Sequence, residues 1–356
     1  MSVSCFLPFV GLGSCLLHMT YIHEFAKKEG PVTILTFSKS LSDALKFDPN
    51  VKKVIVIENY NRKFSEIFKL SKNLKNLNIK KIFIFKCSLR FYLAAKFAGI
   101  FVKSYPFYKK MNLHLVEEAR RFTMKNLNLK NCPTETRLYI NKSILSEVKN
   151  NFNSNRKNIL IAPSSSGPTT MWKISHFTEL MKKLNENFDC FFIIALDSSE
   201  KEKKISSEIA NVFDKKKIIF LCDKTISQLM PIISLCNLSI CNDTSFQHIS
   251  CQLNVPTIIL RFDTPAAYSS YSKLQYSILP KGYAEVNHDT RADTSLITVD
   301  MVLEKLRSQF VVTGLRSASP LRWDFRIAIF EAFLTQILTV KSISNQTELK
   351  STKSRY

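Results

Sequence analysis

The sequence predicts an α/β protein made of two doubly wound domains, and three observations carry that prediction. Ten apolar runs of strand length fall into two sets of five, helix-length amphipathic segments separate them, and a polar, Asn-rich stretch at 150–157 divides the sets. Strands alternating with helices give parallel sheets covered on both faces. The 356 residues are ample for two such cores and a tail. The expected division is a first domain over 1–150, a second over 151–310 and a tail over 311–356.

In the first set the strands are expected at 5–10, 32–37, 54–57, 82–85 and 100–102, with helices at 16–28 and 64–77. In the second they are expected at 159–162, 190–196, 217–222, 238–241 and 257–260, with helices at 174–187, 226–236 and 244–253. The last of these helices is entered through Asp243 or Thr244, both good caps. The apolar stretch 3–17 is unlike a secretory leader: it has no basic start, and Pro8, Gly11 and Gly13 interrupt it. It is read as a strand, a turn and a helix start. Near the end, Trp323, Ile327, Phe330, Leu334 and Ile337 recur at helical spacing. A tail helix at 320–340 is expected to pack back against the first domain, with 341–356 polar and frayed.

Composition narrows the class. Hydrophobic content is 45% and mean hydropathy is −0.04, which suits a globular chain. No apolar run is long enough to span a bilayer. Nine Cys without any CxxC pair indicate neither a disulfide framework nor a zinc site, and point to the cytoplasm. The charge is lopsided: residues 1–150 hold 26 Lys and Arg against 10 Asp and Glu, a net +16, while 151–310 hold 18 against 16, a net +2. An anionic partner is expected for the first half alone. No nucleic-acid recognition motif accompanies that charge, so nucleic acid is not expected.

Open α/β sheets bind ligands at the carboxyl ends of their strands, and two such sheets face to face make a cleft. Three loops fall at such ends. Gly11-Leu12-Gly13-Ser14 follows the opening strand, with glycines that permit close backbone approach and a helix start near Ser14. Pro163-Ser164-Ser165-Ser166-Gly167-Pro168-Thr169-Thr170-Met171-Trp172 is rich in hydroxyls. Asn242-Asp243-Thr244-Ser245-Phe246-Gln247-His248 sets an acid, hydroxyls and an imidazole about one helix start, where free N–H groups favour an anion. His248 lies four residues beyond Thr244 and shares its helical face.

These residues resemble glycosyltransferase family 9, the bacterial heptosyltransferases of lipopolysaccharide core synthesis. The resemblance runs over about residues 4–310: the Ser/Thr loop leading to Trp172, Asn242 to His248, the turn at Leu260-Arg261-Phe262-Asp263-Thr264-Pro265, and in the first half Gly11-Leu12-Gly13 and Phe47-Asp48-Pro49-Asn50-Val51. It implies two facing Rossmann-like domains of the B-type glycosyltransferase architecture with a C-terminal helical tail. It also implies an inverting, metal-independent transfer from a nucleoside-diphosphate sugar, ADP-heptose first among candidates, to a lipopolysaccharide-like or other anionic glycan. No cofactor beyond that co-substrate is implied.

Carried over by position, Asp243, Thr244, Ser245 and His248 contact the donor diphosphate and sugar, Ser165 and Ser166 its phosphates, and Glu200 its ribose; Gly11 and Gly13 belong to the acceptor side. The chain departs from the family at three positions. Ser14 stands where the family has a basic Asp, Thr170 where it has a phosphate-binding Lys, and Ser245 where it has Gly. A serine hydroxyl is no base unaided. His18, four residues on from Ser14, is the first replacement candidate, with His23 and Glu24 beside it, and Lys173 is the replacement candidate for phosphate. The expected enzyme works in the cytoplasm or on the inner face of the membrane beside its glycolipid acceptor. The alternative is a nucleotide-sugar-binding protein of the same fold without turnover.

Overall fold

The computed structural model describes residues 3–312 except 59–62, 107–114, 153–155, 166, 168–169 and 197–198. The expected tail helix, Ser166 and part of the hydroxyl loop therefore lie outside the described residues. In order, the elements are β1 (Val3–Leu7), α1 (Leu12–Leu16), α2 (Met19–Glu29), β2 (Val32–Thr36), α3 (Leu41–Ala44), β3 (Val51–Val56), α4 (Glu66–Asn76), β4 (Lys81–Ile84), α5 (Leu89–Phe97), β5 (Phe101–Ser104), α6 (Leu115–Leu127) and α7 (Lys142–Asn151). Then come β6 (Lys157–Ala162), α8 (Ile174–Asn187), β7 (Cys190–Ile194), α9 (Glu200–Val212), β8 (Ile218–Phe220), α10 (Ile226–Ile233), β9 (Leu238–Asn242), α11 (Ser245–Gln252), β10 (Thr257–Leu260), β11 (Gln275–Ile278) and α12 (Val299–Val312).

Two all-parallel sheets result. The first has the order β3-β2-β1-β4-β5 and the second β11-β10-β9-β6-β7-β8. Every residue of β1 and β9 is buried, as strands covered on both faces must be. Helices present apolar residues at helical spacing to these sheets: Ile67, Leu70 and Leu74 in α4, and Phe177, Leu180, Met181 and Leu184 in α8. In each sheet the strand order reverses once, between β1 and β4 and between β6 and β9. At such a reversal adjacent loops leave in opposite directions and open a crevice.

Local chemistry moves several boundaries. The opening strand stops at Leu7 because Pro8 has no N–H for the ladder. The helix expected at 16–28 is two helices, α1 and α2. The His18 imidazole Nδ1 donates to the Ser14 carbonyl at 2.7 Å, so the main-chain N–H of His18 turns to Cys15 instead. The helix at 226–236 ends at Ile233, since Leu235 and Cys236 bond three residues back in tighter turns. Strand β11 has no apolar run to announce it and exists through its parallel pairing with β10. The polar stretch at 150–157 begins inside α7, which packs on α10 of the second half.

The two halves meet along α1 and α11. One continuous apolar core joins Leu12, Cys15 and Leu16 to Met230, Ile233 and Ile249. Polar ties fix the register: the Gln252 side-chain amide donates to the Leu16 carbonyl at 3.0 Å, and Leu138 N–H donates to the Gln252 carbonyl at 3.2 Å. Asp43 of α3 accepts from the Ser227 N–H at 2.9 Å and its hydroxyl at 2.7 Å, placing a carboxylate at the start of α10.

Gly13 makes the closest approach. A Cβ built there would stand 2.7 Å from His248 Cδ2 and 2.9 Å from Nε2. Gly13→Ala is therefore expected to destabilise the chain by roughly 1–3 kcal/mol, as overpacking does, whereas Gly11→Ala, whose nearest neighbour would be the Ser14 hydroxyl at 3.9 Å, is tolerated. Urea unfolding of the two variants checks this.

Candidate active site

Because α1 follows β1 and α11 follows β9, their packing brings the carboxyl ends of the two sheets together. Each reversal point carries loops rich in polar groups. In the first sheet a cavity of about 610 Å³ lies over the β1/β4 crevice, lined by Phe9, Gly11 and Ser14 after β1, by Lys39 and Glu58 after β2 and β3, and by Lys86, Ser88 and Arg90 after β4. Among the described residues, three cations and a single carboxylate share this lining. Lys86 Nζ sits 5.7 Å from the centroid of the Phe9 ring, one wall of the cavity.

In the second sheet the loops after β6 and β9 flank the other reversal. Asn242, fully buried at the end of β9, pins them together. Its Oδ1 accepts from Trp172 N–H at 3.0 Å and its Nδ2 donates to the Pro163 carbonyl at 2.7 Å. Trp172 is equally buried, its indole donating to the Ile297 carbonyl at 2.8 Å. The Asn and Trp of the two motifs thus hold the hydroxyl loop beside Asp243. Within that loop the Ser165 hydroxyl bonds Thr170 Oγ1 and the Gly167 carbonyl.

At the start of α11, Thr244 accepts from the Phe246 N–H at 3.3 Å, the cap that its residue type predicts. Thr244 and Ser245 are half-buried. Asp243 accepts from the Gln247 amide through Oδ1, while its buried Oδ2 has no hydrogen-bond partner among the described residues. Burial raises its pKa, with the Thr264 hydroxyl and the Arg261 guanidinium pulling the other way. Arg261, only 3% exposed and paired with Glu285, is a buried cation at this site that its motif gave no reason to single out.

Other expected residues sit differently. His248 does not open onto a donor site in this structure: its Nδ1 shares a 2.9 Å hydrogen bond with the Tyr271 hydroxyl, its ring stacks on Tyr271, and its far edge meets Gly13. Gly13 accordingly makes room for an imidazole of the other domain, not for a ligand. The start expected near Ser14 is interior to the five-residue α1, so Ser14 reaches the cavity as a wall residue. His18 is 1% exposed, stacked on Phe9. Burial lowers its pKa to about 4, so it is neutral, enclosed and unable to meet an acceptor.

The neighbouring candidates are also engaged. His23 bonds Asp48 at 2.7 Å, and Asp48 in turn accepts from Asn50, so the Phe47-Asp48-Pro49-Asn50 motif is a turn pinned to α2. Glu24 pairs with Lys27. Glu200 is exposed and paired with Lys203 at 2.6 Å, and Lys173 is exposed at the start of α8. A cation does reach the hydroxyl loop from an unexpected position: Lys201 Nζ donates to the Ser165 carbonyl at 2.8 Å. Its place one residue into α9, at the end of the strand next to β6, was the available signal.

Comparison with known proteins agrees with the two-sheet fold. The model of glycosyltransferase family 9 (heptosyltransferase) matches residues 83–284. E. coli ADP-heptose lps heptosyltransferase II superposes with a TM-score of 0.67 at 18% identity, covering 89% of this chain and all of that one. A family 9 glycosyl transferase from Veillonella parvula gives 0.68 at 13%, covering 86% and 96%, and an E. coli heptosyltransferase solved with ADP gives 0.65 at 13%, covering 87% and 100%. A Haemophilus influenzae protein provisionally named a glycosyltransferase is 29% identical over 106 residues, so the match spans only 30% of each chain.

Two stability tests follow from the electrostatics. Asp243 has a raised pKa in the fold, so its contribution to stability is full only below its ordinary value of 3.8 and is lost as pH rises through the raised one. Asp243→Asn is expected to melt no lower than wild type at neutral pH, with the difference shrinking toward pH 3.8. The buried His18 and His248 have the opposite sign: burial depresses them to about 4 and about 3, so stability present above 6.5 is lost as pH falls. Unfolding free energy should decline by about 1.4 kcal/mol per pH unit for each proton taken up. His248→Asn should flatten that slope by one proton in urea titrations at several pH values.

Proposed function

This chain belongs to glycosyltransferase family 9 and is a glycosyltransferase, and we propose that it moves a heptose or related sugar from a nucleoside-diphosphate donor, ADP-heptose first, to an anionic lipopolysaccharide-like acceptor. The first domain would hold the acceptor and the second the donor. What carries this reading is the cavity over β1 and β4. Lys39, Lys86 and Arg90 line it, side chains of the charge that suits phosphate or carboxylate groups, and its Gly11 and Ser14 flank Gly13, which meets α11 at Ser245 and His248.

On the donor side, the N–H groups at the start of α11 and the Thr244 and Ser165 hydroxyls suit a diphosphate. Lys201 is the cation best set to take over from the lysine replaced by Thr170. Transfer by inversion needs no metal in this scheme: an acceptor hydroxyl oxygen attacks the anomeric carbon as the bond to the diphosphate breaks, and the nucleoside diphosphate leaves. The hydroxyl proton goes to a base. Glu58 is the one carboxylate lining the cavity among the described residues, and it replaces His18 as the candidate for that role. Among the described residues no helix is long and apolar enough to cross a membrane, and the reading sets the enzyme at the cytoplasmic face of the inner membrane. Ser14 favours one alternative, a protein that binds donor without turning it over.

Melting curves with ADP, UDP and GDP and their sugars identify the donor, since a ligand bound only by the folded state raises the melting temperature. With lipopolysaccharide-core acceptors, Glu58→Gln is expected to lower kcat by 10²–10⁴, the usual range for a general base, with donor-induced stabilisation intact. Ser14→Ala should change kcat little. Nucleotide binding with no release of nucleoside diphosphate from any acceptor would favour the alternative.

A further inference from the structure

We propose that the outer face of α4 and α5 docks the enzyme on an anionic lipid bilayer. Exposed helix faces are ordinarily polar, yet Phe68 on α4 and Phe97 on α5 are 57% and 56% exposed, and Phe64, in the turn that leads into α4, is 70% exposed. Phe68 stacks on Phe97 with ring centroids 5.7 Å apart and planes within 3°, and Phe64 meets Phe68 edge-on at 6.3 Å. Leu89, 56% exposed, extends the strip toward the start of α5. Such a contiguous aromatic strip marks an interaction surface.

Charge selects the occupant. Residues 63–104 hold ten Lys and Arg against one acid, Glu66, and α5 has no acid at all. Lys69, Lys72 and Lys96 are exposed on α4 and α5, with Lys69 Nζ 3.9 Å from the Glu66 carboxylate. Aromatic rings ringed by lysines suit the boundary of a negatively charged leaflet, where rings enter the headgroup layer and lysines meet lipid phosphates. A protein partner or a second copy of this chain would bring the same basic surface against itself or against an unrelated one; the near absence of acid disfavours self-pairing. The strip also leads to the site. Arg90 and Phe91, which line the cavity, follow Leu89 directly, so a face resting on the bilayer would hold the acceptor cavity near the headgroups.

The inference does not rest on which sugar is moved, because its test uses no substrate. Flotation of the full chain with vesicles of equal parts phosphatidylglycerol and phosphatidylcholine is expected to carry the protein up, and vesicles of phosphatidylcholine alone to leave it behind. Replacing Lys69, Lys72 and Lys96 by Gln should weaken binding on the order of a hundredfold at low salt, about fivefold for each lysine. Replacing Phe64, Phe68 and Phe97 by Ser should remove the binding that persists at physiological salt while leaving the melting temperature and nucleotide binding unchanged. Three results would overturn the proposal: no flotation of wild type with the anionic vesicles, undiminished flotation of both triple variants, or a wild-type dimer in sedimentation that the Phe variants convert to monomer.

Discussion

The contact of α1 with α11 is the constraint on which the rest of the structure depends. It is tight because Gly13 has no side chain where the His248 imidazole lies, and it is held in register because the Gln252 amide reaches the Leu16 carbonyl. Both helices follow central strands at a strand-order reversal, so joining them sets the two reversal points side by side. A shared apolar core makes that arrangement part of folding rather than a separate docking step. The buried imidazoles of His18 and His248 belong to this seam, and their desolvation keeps them neutral.

The two sides of the seam are chemically unlike. On the first, lysines and an arginine line a cavity with a single carboxylate among the described residues, in a half that carries most of the chain's net positive charge. On the second, hydroxyls and the start of α11 gather about Asp243, whose burial raises its pKa. This division is the one the proposed transfer calls for, with the acceptor on the first domain and the leaving diphosphate on the second. Asn242 and Trp172 contribute by tying the two second-domain loops into one unit, so their place in the motif is explained by hydrogen bonding alone.

Strand and helix identities were legible wherever burial imposed a period. The β1 and β9 runs are apolar because both of their faces are covered, and α8 falls on its predicted residues because Phe177, Leu180, Met181 and Leu184 mark one stripe. Signals failed where a side chain competed with the main chain or where pairing alone makes the element. The His18 imidazole breaks the expected first helix in two, and β11 is a strand only because β10 lies beside it. The candidate site divides the same way. Thr244 was readable as a cap from its type, whereas Glu58, Lys39 and Arg90 stand after three different strands and share no local pattern.

By itself, then, the sequence determined the two parallel sheets, the loops at their reversal points and the uneven charge, because periodicity, capping and composition act over short stretches of chain. Which groups those loops present was decided by the tertiary structure. His18 is a base candidate from its spacing to Ser14 and His248 a donor contact by the family resemblance, but packing across the seam turns both inward and strips them of water. Glu58 and Lys201 come to the crevices through strand order alone. The physical reason is that burial and proximity between residues far apart in the chain depend on how whole elements stack, and no local run of residues encodes that.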